Sequence, residues 1–519
     1  MTPMPNIGQM LSAQARLQPG RIGGRDLERE MSFALWNERA CRLANALLGL
    51  GLSKGDRLGV LAWNRVEWLE IYAAAAKAGL VAVPVNFRLV ASEIRFILQD
   101  CSVSAVIAEQ ELHDSIDEIR GDLELADGRF IHFGGCATPA GWRGYEDLIA
   151  AGASTEPEID VAPADPWCLM YTSGTTGNPK GAIRGHEGIG NLALMTAVEL
   201  GLGRNDEAML VMPMCHANSL YFFSSFLHCG AATSVFSRRS FDAERCLRAL
   251  SETGASFTSL VPTHYEMLLD LQHKAGDLRR MEKLMISSAP ARVETKRRVM
   301  EMFPNSGLFE LYGSTEAGWV TMLHPDEQFD HLGSVGREVV GSLPIRLLDD
   351  EGNEVPDGMP GELFSCGPYV FDGYWNRPDK TAEAFRGDYL SVGDVALREP
   401  DGFIRLIDRK KNMIISGGEN IYPTEVEAIL VQHPDVRDVA VVGRPDERWG
   451  ERVEAAVVLR DGASVTSETL VEWSRGKLAG YKRPRTVTFI GAEEMPRTAT
   501  GKIQHGVLRE LLAVRASNN

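Results

Sequence analysis

Residues 57–85 read RLGVLAWNRVEWLEIYAAAAKAGLVAVPV and predict a strand, a helix and a second strand in short order. The strands are predicted over Arg57–Ala62 and Val81–Val85, and the helix over Glu67–Ala78 up to Gly79. An almost continuous apolar run such as Val81–Val85 is typical of a parallel strand covered on both faces. The stretch therefore predicts α/β architecture, with helices connecting parallel strands.

The same alternation continues on both sides of this stretch. Helices are predicted over Trp36–Leu50 and Ser92–Gln99, and a strand over Ser104–Ala108. The rhythm returns between Glu207 and Phe309. Together these segments indicate a large N-terminal domain built from α/β subdomains.

The pattern changes twice after Gly341. Short strands with Gly, Asp and Pro turns form a β-rich segment of hairpins, predicted over Ile345–Leu348, Gly361–Ser365, Ser391–Leu397 and Phe403–Ile407. Beyond the charged residues 408–411, a small α+β domain is predicted from a helix near Thr424, strands over Val436–Gly443 and Val453–Leu459, and a helix over Ser467–Leu478. We place the N-terminal domain at residues 1–408, a linker at 409–411 and the C-terminal domain at 412–519.

Composition narrows the possible partners. The 519 residues include 54 Lys and Arg against 71 Asp and Glu, a net charge of −17, with 44% hydrophobic and 24% charged residues. These fractions are ordinary for soluble globular proteins. The acidic balance argues against non-specific binding to nucleic acid or anionic lipid, which needs clustered Lys and Arg.

Targeting signals and cysteines point to the cytoplasm. We expect no signal peptide, no transmembrane helix and no C-terminal targeting motif. The eight cysteines are far apart and lack a C-x-x-C pair. We therefore expect reduced thiols, without a disulfide framework or a cysteine-based zinc site.

The strongest local signal is YTSGTTGNPKG at residues 171–181, directly after the apolar run Trp167–Met170. A strand followed by glycines, hydroxyls and a Lys gathers hydrogen-bond donors around phosphate. The spacing differs from that of a Walker A loop. The candidate phosphate-binding residues are Thr172, Ser173, Gly174, Thr175, Thr176, Gly177 and Lys180.

This loop closely resembles the phosphate-loop signature of the adenylate-forming superfamily, in particular its acyl- and aryl-CoA synthetases. Further signatures of the family follow in order. They are YGSTEAG at 312–318, YLSVGD at 389–394, DRKK at 408–411, SGGENIYP at 416–423 and PRTATGKI at 496–503. The resemblance spans nearly the whole chain.

The resemblance implies an ATP-dependent acid–CoA ligase that uses ATP, Mg²⁺ and coenzyme A. The acid's carboxylate attacks the α-phosphate of ATP to give acyl-AMP and pyrophosphate, and the CoA thiol then displaces AMP. Two anions meet in the first step, so cations and hydrogen-bond donors must gather at the phosphorus. The expected partners are a small carboxylic acid, ATP and CoA, without stable membrane insertion, and a homodimer is left open.

The resemblance also assigns roles to individual residues. The catalytic set is Lys502, Thr175, Glu316 and Arg409, with Glu316 as the magnesium ligand. The adenine and phosphate contacts are Tyr312, Gly313, Ser314, Thr315, Ser288, Ala289 and Pro290, and Asp394 would accept the ribose hydroxyls. Lys411 falls at the hinge about which a mobile C-terminal domain rotates between the half-reactions. Gly417, Gly418 and Glu419 would line the thiol tunnel, and Arg444 and Trp449 are candidates for contacting CoA.

The acid pocket is predicted around residues 213–219, PMCHANS, which match the family's Pro-x-x-His segment. A free amino acid is disfavoured, because no Asp lies between Ala208 and Ser240. Candidate pocket residues are His216, Phe222, Phe223, His264, Tyr265, Ser287 and Trp319, which suit an aromatic or medium-chain fatty acid. Two alternatives stay open: an enzyme that loads a carrier-protein thiol in trans, and a non-catalytic nucleotide-binding relative.

Overall fold

The computed structural model describes residues 4–126, 128–135, 137–172, 179–274, 276–288, 291–417, 419–497 and 501–517. The chain divides into two compact units. The larger comprises residues 1–344 and 365–390, and the smaller comprises 345–364 and 391–519. The predicted α/β class, with a smaller C-terminal α+β part, is confirmed.

The larger unit contains two sheets. In spatial order, the first has strands Arg143–Gly144, Phe130–Phe133, Ala105–Glu109, Arg57–Leu61, Val81–Val85, Pro166–Thr172 and Lys180–Gly185. The second has Arg337–Glu338, Gly318–Leu323, Gly307–Ser314, Lys283–Ser287, Phe257–Leu260, Glu207–Leu210, Ala232–Val235, Ile22–Arg25 and Glu30–Ser32. Neighbouring strands are parallel from Arg143–Gly144 to Pro166–Thr172 in the first sheet and from Gly307–Ser314 to Ile22–Arg25 in the second, as the apolar runs predict. The remaining strands at the ends of the two sheets pair antiparallel.

Helices cover these sheets. In the larger unit they are Ile7–Leu17, Phe33–Gly49, Glu67–Ala78, Ala91–Asp100, His113–Asp117, Tyr145–Ala151, His186–Leu200, Ala217–Cys229, Ala243–Thr253, Pro262–Leu269, Val293–Met302 and Pro378–Ala384. The short strands Phe385–Arg386 and Tyr389–Leu390 form a hairpin after the last of them.

A single core cluster draws on both sheets of the larger unit and on the helices between them. Trp36, Tyr72 and Phe223 meet there, with Phe223 centred 6.0 Å from Trp36 and 5.9 Å from Tyr72. All three side chains are fully buried, which is worth about 1.5–3 kcal/mol each in apolar transfer. This shared core packs the two sheets of the larger unit together.

The smaller unit is β-rich and then α+β. Its first strands are Asp394–Arg398 and Ile404–Arg409 and most of Leu343–Leu348 and Gly361–Cys366, whose outer ends belong to the larger unit. Its second sheet orders Glu419–Ile421, Ile414–Ser416, Gly450–Leu459 and Val436–Asp446, with Thr486–Phe489 parallel to Gly450–Leu459. Its helices are Pro423–Leu430, Ser467–Trp473 and His505–Ser517.

Most predicted elements are confirmed to within a few residues, but one helix is shorter than expected. The helix predicted over Ser467–Leu478 ends at Trp473. Gly476 adopts φ +75, a left-handed conformation that does not continue a right-handed helix. Within the described residues, every helix is too short or too polar to span a bilayer.

His186 is a buried histidine at the start of the helix His186–Leu200. Its ring packs on that of Trp167, and neither ring nitrogen has a hydrogen-bond partner. Burial lowers its pKa from 6.5 to about 4. His186 has an ordinary pKa in the unfolded chain and a lower one in the folded chain, so the unfolded chain binds the proton more tightly. The free energy of unfolding therefore decreases as the pH falls below 6.5.

We therefore expect His186→Leu to flatten the acid side of the stability curve. Between pH 6.5 and 4 the wild type should lose up to about 3 kcal/mol more unfolding free energy than the variant, because one pKa unit corresponds to about 1.4 kcal/mol. Urea unfolding at half-unit pH steps measures this difference. The exposed His273→Leu serves as control and should follow the wild type. Parallel curves for His186→Leu and wild type would contradict the argument.

Candidate functional site

The predicted nucleotide residues lie at the carboxyl edge of the second sheet. Lys283–Ser287 and Gly307–Ser314 are adjacent parallel strands, with Ser287 opposite Leu311. Ser288 and Tyr312, which follow these two residues, therefore lie side by side where ligands bind in open α/β sheets. Ser288 has φ +72, a conformation uncommon for a residue other than glycine, so its neighbours must hold it in place.

Several predicted residues lie outside the described residues. They are Ser173, Gly174, Thr175, Thr176 and Gly177 of the phosphate loop, Ala289 and Pro290 of the adenine segment, and Gly418. The flanks of the phosphate loop are described. Thr172 and Lys180 are cross-strand partners in the antiparallel pair that precedes and follows it, so they fix where the loop leaves and rejoins the sheet.

A buried carboxylate joins these segments. Glu316 is 7% exposed, and its Oε1 accepts hydrogen bonds from Thr172 Oγ1 at 3.2 Å and from the Tyr374 hydroxyl at 3.0 Å. Lys180 Nζ lies 4.1 Å from the centre of the Tyr374 ring, at cation–π distance. The structure thus brings Thr172, Lys180 and Glu316 together, around a tyrosine that the motif analysis did not select.

Arg184 supports the backbone on either side of Glu316. Its guanidinium is 1% exposed and donates to the carbonyls of Thr315 at 3.2 Å, Glu316 at 3.1 Å and Tyr369 at 2.6 Å. The Tyr221 hydroxyl also donates to the Thr315 carbonyl, at 2.7 Å. Hydrogen bonds to a charged group are the stronger ones, so this side chain fixes the turn that carries the carboxylate.

Gly313 and Gly318 allow the hairpin that carries Glu316 to close tightly. A Cβ at Gly313 would lie 2.3 Å from the Gly318 carbonyl oxygen, and Gly318 itself has φ +72. The Ser314 hydroxyl accepts from the Ala317 N–H at 2.9 Å, inside the same turn. The YGSTEAG motif is thus a strand end and a tight turn, which explains its glycines.

The predicted acid segment is held by a buried amide. Asn64 Nδ2 donates to the carbonyls of Val211 and Met212, at 3.2 and 3.1 Å, and its Oδ1 accepts from Met214 N–H at 2.8 Å. The Tyr72 hydroxyl donates to the Met214 carbonyl at 2.8 Å. These bonds leave His216, at the N-terminus of the next helix, half-buried at the sheet edge.

A polar trio follows His216. Asn218 Nδ2 donates to Ser259 Oγ at 3.0 Å and to Ser287 Oγ at 3.2 Å, which belong to the neighbouring strands Phe257–Leu260 and Lys283–Ser287. Ser287 is a predicted pocket residue, whereas Asn218 and Ser259 were not selected from the sequence. The side-chain amide oxygen of Asn218, Oδ1, is buried without a hydrogen-bond partner.

The other predicted pocket residues belong to the core around this edge. Phe222 is fully buried between Phe257, 4.6 Å away, and Trp319, 5.2 Å away between ring centres. Trp319 Nε1 donates to Thr196 Oγ1, 2.9 Å away. Phe223 lies in the shared core. Their role against an acid stays a prediction.

His264 and Tyr265 occupy the helix Pro262–Leu269. Tyr265 is fully buried, and its hydroxyl donates to the Met285 carbonyl at 3.1 Å. His264 stacks on Phe241 with 3.9 Å between ring centres. Burial, with a smaller effect from Arg88, lowers the pKa of His264 to about 4, so the ring is neutral at pH 7.

In the smaller unit, Asp394 and Arg409 form an ion pair. They are cross-strand partners, and Arg409 Nε lies 2.8 Å from Asp394 Oδ1. The next residues form a short 3₁₀ turn that contains Lys411. Burial, reinforced by Arg409, lowers the pKa of Lys411 to about 8. The predicted ribose, phosphate and hinge residues are therefore neighbours in this unit.

The predicted tunnel residue Gly417 contacts Trp449, a predicted CoA-contacting residue. Gly417 has φ +63, its N–H donates to the Trp449 carbonyl at 2.8 Å, and a Cβ there would lie 3.0 Å from Trp449 Cε3. The Trp449 side chain is partly exposed, and Glu419 pairs across the hairpin with Ser416. Arg444 lies 3.7 Å from the buried Glu454 and donates to the Arg509 carbonyl.

Lys502 is exposed next to a β-bridge. Arg497 and Ile503 form a β-bridge, and Gln504 N–H donates to the Pro496 carbonyl at 2.9 Å. Arg497 also donates to the Gly501 carbonyl and is paired with Asp438. The ends of the loop are fixed to the domain, which presents Lys502 at its surface.

Comparison with known families covers both units. The model described as AMP-binding enzyme matches residues 11–375, and that described as AMP-binding enzyme C-terminal domain matches residues 425–502.

Individual relatives match over the full length. An indoleacetate–CoA ligase of Aromatoleum aromaticum is 33% identical over 98% of both chains. A feruloyl-CoA synthase of an Amycolatopsis species is 35% identical over 97% of this chain and 98% of its own. The solved structure of the anthranilate CoA ligase AuaEII with anthranoyl-AMP superposes with a TM-score of 0.90, at 27% identity over 100% of this chain and 99% of that one.

Proposed function

The chain belongs to the family of AMP-binding enzymes, in its acyl- and aryl-CoA synthetase branch, and on that premise we propose which acid it activates and which residues do so. It is an AMP-forming acid–CoA ligase with ATP and CoA as substrates. The carboxylate oxygen bonds to the α-phosphorus as the bond to pyrophosphate breaks. The CoA sulfur then bonds to the acyl carbon as AMP leaves.

One observation carries the assignment of the site. Glu316 is a buried carboxylate hydrogen-bonded by Thr172, at the start of the phosphate loop, and by Tyr374, under Lys180. A carboxylate and two hydroxyls offer the oxygen ligands that Mg²⁺ prefers. We propose that Glu316 holds magnesium together with phosphate oxygens, where the ion would offset phosphate charge.

The remaining charges serve the first half-reaction. Lys180 and Lys502 would place positive charge beside the phosphates, with Thr175 and the rest of its loop donating hydrogen bonds. Tyr312 and Ser288 would flank adenine. Arg409 holds the Asp394 carboxylate in one orientation, from which it can accept hydrogen bonds from the ribose hydroxyls.

We assign the second half-reaction to the segment around Gly417. A glycine that packs on Trp449 leaves room for a narrow pantetheine arm, and Glu419 and Arg444 lie on the same sheet. Lys411, desolvated beside Arg409, is the proposed hinge of a mobile domain that begins after residue 408.

We propose an aromatic acid as the first candidate and a medium-chain fatty acid as the second. The relatives named above are ligases for indoleacetate, ferulate and anthranilate, and all three acids carry an aromatic ring. The polar trio Asn218, Ser259 and Ser287 beside His216 supplies hydrogen bonds at the proposed pocket. The names of all three relatives give CoA as the acceptor of the acyl group, which favours CoA over a carrier protein as the acceptor here.

We further place the reaction in the cytoplasm, where ATP and CoA are available and where the seven described cysteines would stay reduced.

A homodimer is the proposed assembly. The exposed apolar residues Leu194 and Val198, on one helix, favour it. Light scattering during size-exclusion chromatography measures the mass.

The activity is tested with ATP, Mg²⁺, CoA and a panel of acids. We expect AMP and thioester from arylacetic, cinnamic-type or benzoic acids at higher kcat/KM than from octanoate or free amino acids. Coupled pyrophosphate release measures the rate, and mass spectrometry identifies the thioester. Pyrophosphate without thioester would reject the CoA acceptor, and no acid-dependent release at all would reject the enzyme assignment.

Lys502 and Gly417 should separate the two half-reactions. Lys502→Ala should reduce acyl-AMP formation 10²–10³-fold, as is typical on removal of one preorganised donor, and leave thioester formation from presynthesised acyl-AMP within threefold. Gly417→Val should do the reverse, because its Cβ would lie only 3.0 Å from Trp449 Cε3 and its φ of +63 disfavours a β-branched residue. Single-turnover assays of each step measure this. A parallel loss of both steps in either variant would reject the division of labour.

Tyr374→Phe tests the hydroxyl bound to Glu316. A hydrogen bond to a charged group is worth about 1.5–3 kcal/mol, so we expect acyl-AMP formation to fall about 10- to 100-fold. Tyr369→Phe is the matched control, because Tyr369 is buried nearby but its hydroxyl is bonded to Ser342. It should stay within threefold of the wild type. Equal rates of acyl-AMP formation for the two variants would contradict a role for the hydrogen bond from Tyr374 to Glu316.

A further inference from the structure

A buried carboxylate outside the proposed magnesium site connects two of the segments that support it. Asp100 is the last residue of the helix Ala91–Asp100, and its side chain is 10% exposed. Its Oδ2 accepts a hydrogen bond from the Tyr171 hydroxyl at 2.7 Å, and its Oδ1 accepts one from the Arg377 guanidinium at 2.8 Å. One side chain thus holds parts of the chain that lie 71 and 277 residues away from it.

The first of these two parts is the strand that leads into the phosphate loop. It ends with Tyr171 and Thr172, and the Thr172 hydroxyl donates to Glu316. Successive side chains on a strand point to opposite faces of the sheet. The bond from Tyr171 to Asp100 therefore anchors this strand end on the face away from Glu316. A shift of the strand end would break that bond and would move the Thr172 hydroxyl at the same time.

The second part is the turn that carries Tyr374, whose hydroxyl also donates to Glu316. Arg377 lies at the end of this turn, where its N–H donates to the Tyr374 carbonyl at 3.1 Å. The Thr381 hydroxyl accepts from the Tyr374 N–H at 2.9 Å and donates to the Arg377 carbonyl at 3.0 Å. The bond from Arg377 to Asp100 therefore fixes a closed turn, and with it the start of the Tyr374 side chain.

The helix end that carries Asp100 is itself held in place. Arg57 donates to the carbonyls of the next two residues, Cys101 at 2.7 Å and Ser102 at 2.6 Å. The Arg57 guanidinium also lies over the Trp375 ring, 5.8 Å from its centre. Asp100 is therefore a fixed point to which both donors of the Glu316 carboxylate are referred.

We propose that Asp100 is a positioning residue for magnesium, because it places Thr172 and Tyr374 together and through them orients the Glu316 carboxylate. This inference rests on the proposed function, in which Glu316 holds the ion. Asp100 does not need to touch the ion or the nucleotide to act in this way. Its loss should weaken nucleotide binding when magnesium is present and leave binding without magnesium almost unchanged.

The test measures binding without turnover. α,β-Methylene-ATP cannot be cleaved to AMP and pyrophosphate, and isothermal titration calorimetry gives its Kd in excess MgCl2 and again in EDTA. We define the magnesium gain as the Kd in EDTA divided by the Kd in MgCl2. Asp100→Leu has a similar shape but no acceptor, and we expect it to lower the magnesium gain about tenfold, at the lower end of the effect of losing the support of a metal-binding carboxylate. The Kd in EDTA should stay within threefold of the wild type.

Further variants separate the two bonds. Tyr171→Phe removes the first and Arg377→Met the second, so each should lower the magnesium gain by less than Asp100→Leu does. Neither should lower it further in combination with Asp100→Leu, because the bond is already absent. Asp100→Asn keeps an acceptor for Arg377 and offers an N–H to the Tyr171 oxygen, so it should retain the magnesium gain to within threefold.

Asp206→Leu is the matched control. The Asp206 side chain is 11% exposed and likewise binds a cation and a hydroxyl, from Lys283 at 2.9 Å and Ser256 at 2.7 Å. It directly precedes the strand Glu207–Leu210, at the edge of the second sheet opposite the proposed site. Asp206→Leu should lower the temperature of thermal unfolding and keep the magnesium gain within twofold of the wild type.

A folded Asp100→Leu protein with the wild-type magnesium gain would overturn the inference, and so would an equal loss of that gain in Asp206→Leu. If thermal unfolding shows that Asp100→Leu is not folded at the assay temperature, Tyr171→Phe and Arg377→Met decide, and a wild-type gain in both would overturn it. A wild-type protein that binds the analogue equally well in MgCl2 and EDTA would instead overturn the proposed magnesium site.

Discussion

A buried carboxylate must find partners, and this constraint organises the larger unit. Glu316 lies almost out of reach of water, where an ionised group is costly unless hydrogen-bonded or paired. Thr172 and Tyr374 meet it from segments 144 and 58 residues away in the chain. Arg184 fixes the main chain on which it sits. The carboxylate and the main chain that carries it are therefore held by side chains from three distant segments of the chain.

The sheets explain why these segments can meet. Parallel strands end at the same edge, so loops that are distant in sequence converge there. The shared core around Trp36, Tyr72 and Phe223 packs the two sheets together, and Asn64 is hydrogen-bonded to the segment before His216. The smaller unit uses a different device, in which hairpin turns present Arg409, Gly417 and Lys502 at loops whose ends are paired. Preorganised groups of this kind are what electrostatic catalysis needs.

Elements and motifs were predictable from sequence where the signal was local. The helix Glu67–Ala78 and the strand Val81–Val85 have the predicted bounds, because periodicity and a terminal glycine are read over a few residues. Tyr374, Arg184 and Asn64 were not selected, since their partners lie 58 to 185 residues away and nothing local marks them. The helix Ser467–Trp473 shows the opposite case. Apolar spacing alone predicted that it runs to Leu478, but Gly476 has a left-handed conformation that a helix cannot contain.

Which acid the enzyme accepts depends on whether the predicted pocket residues lie in the core or at the edge of the sheet. Phe222 and Tyr265 look like pocket residues in the sequence, yet both are fully buried against other core side chains. Apolar packing of that kind shapes a pocket from behind, and it separates substrates that differ by one methylene only weakly. Strong discrimination comes from buried polar groups that a wrong substrate leaves unpaired. Asn218 has such a group, since its side-chain amide oxygen Oδ1 is buried without a partner while its Nδ2 donates to Ser259 and Ser287. If this trio lines the acid site, selectivity follows the hydrogen-bond donors of the acid more closely than its size.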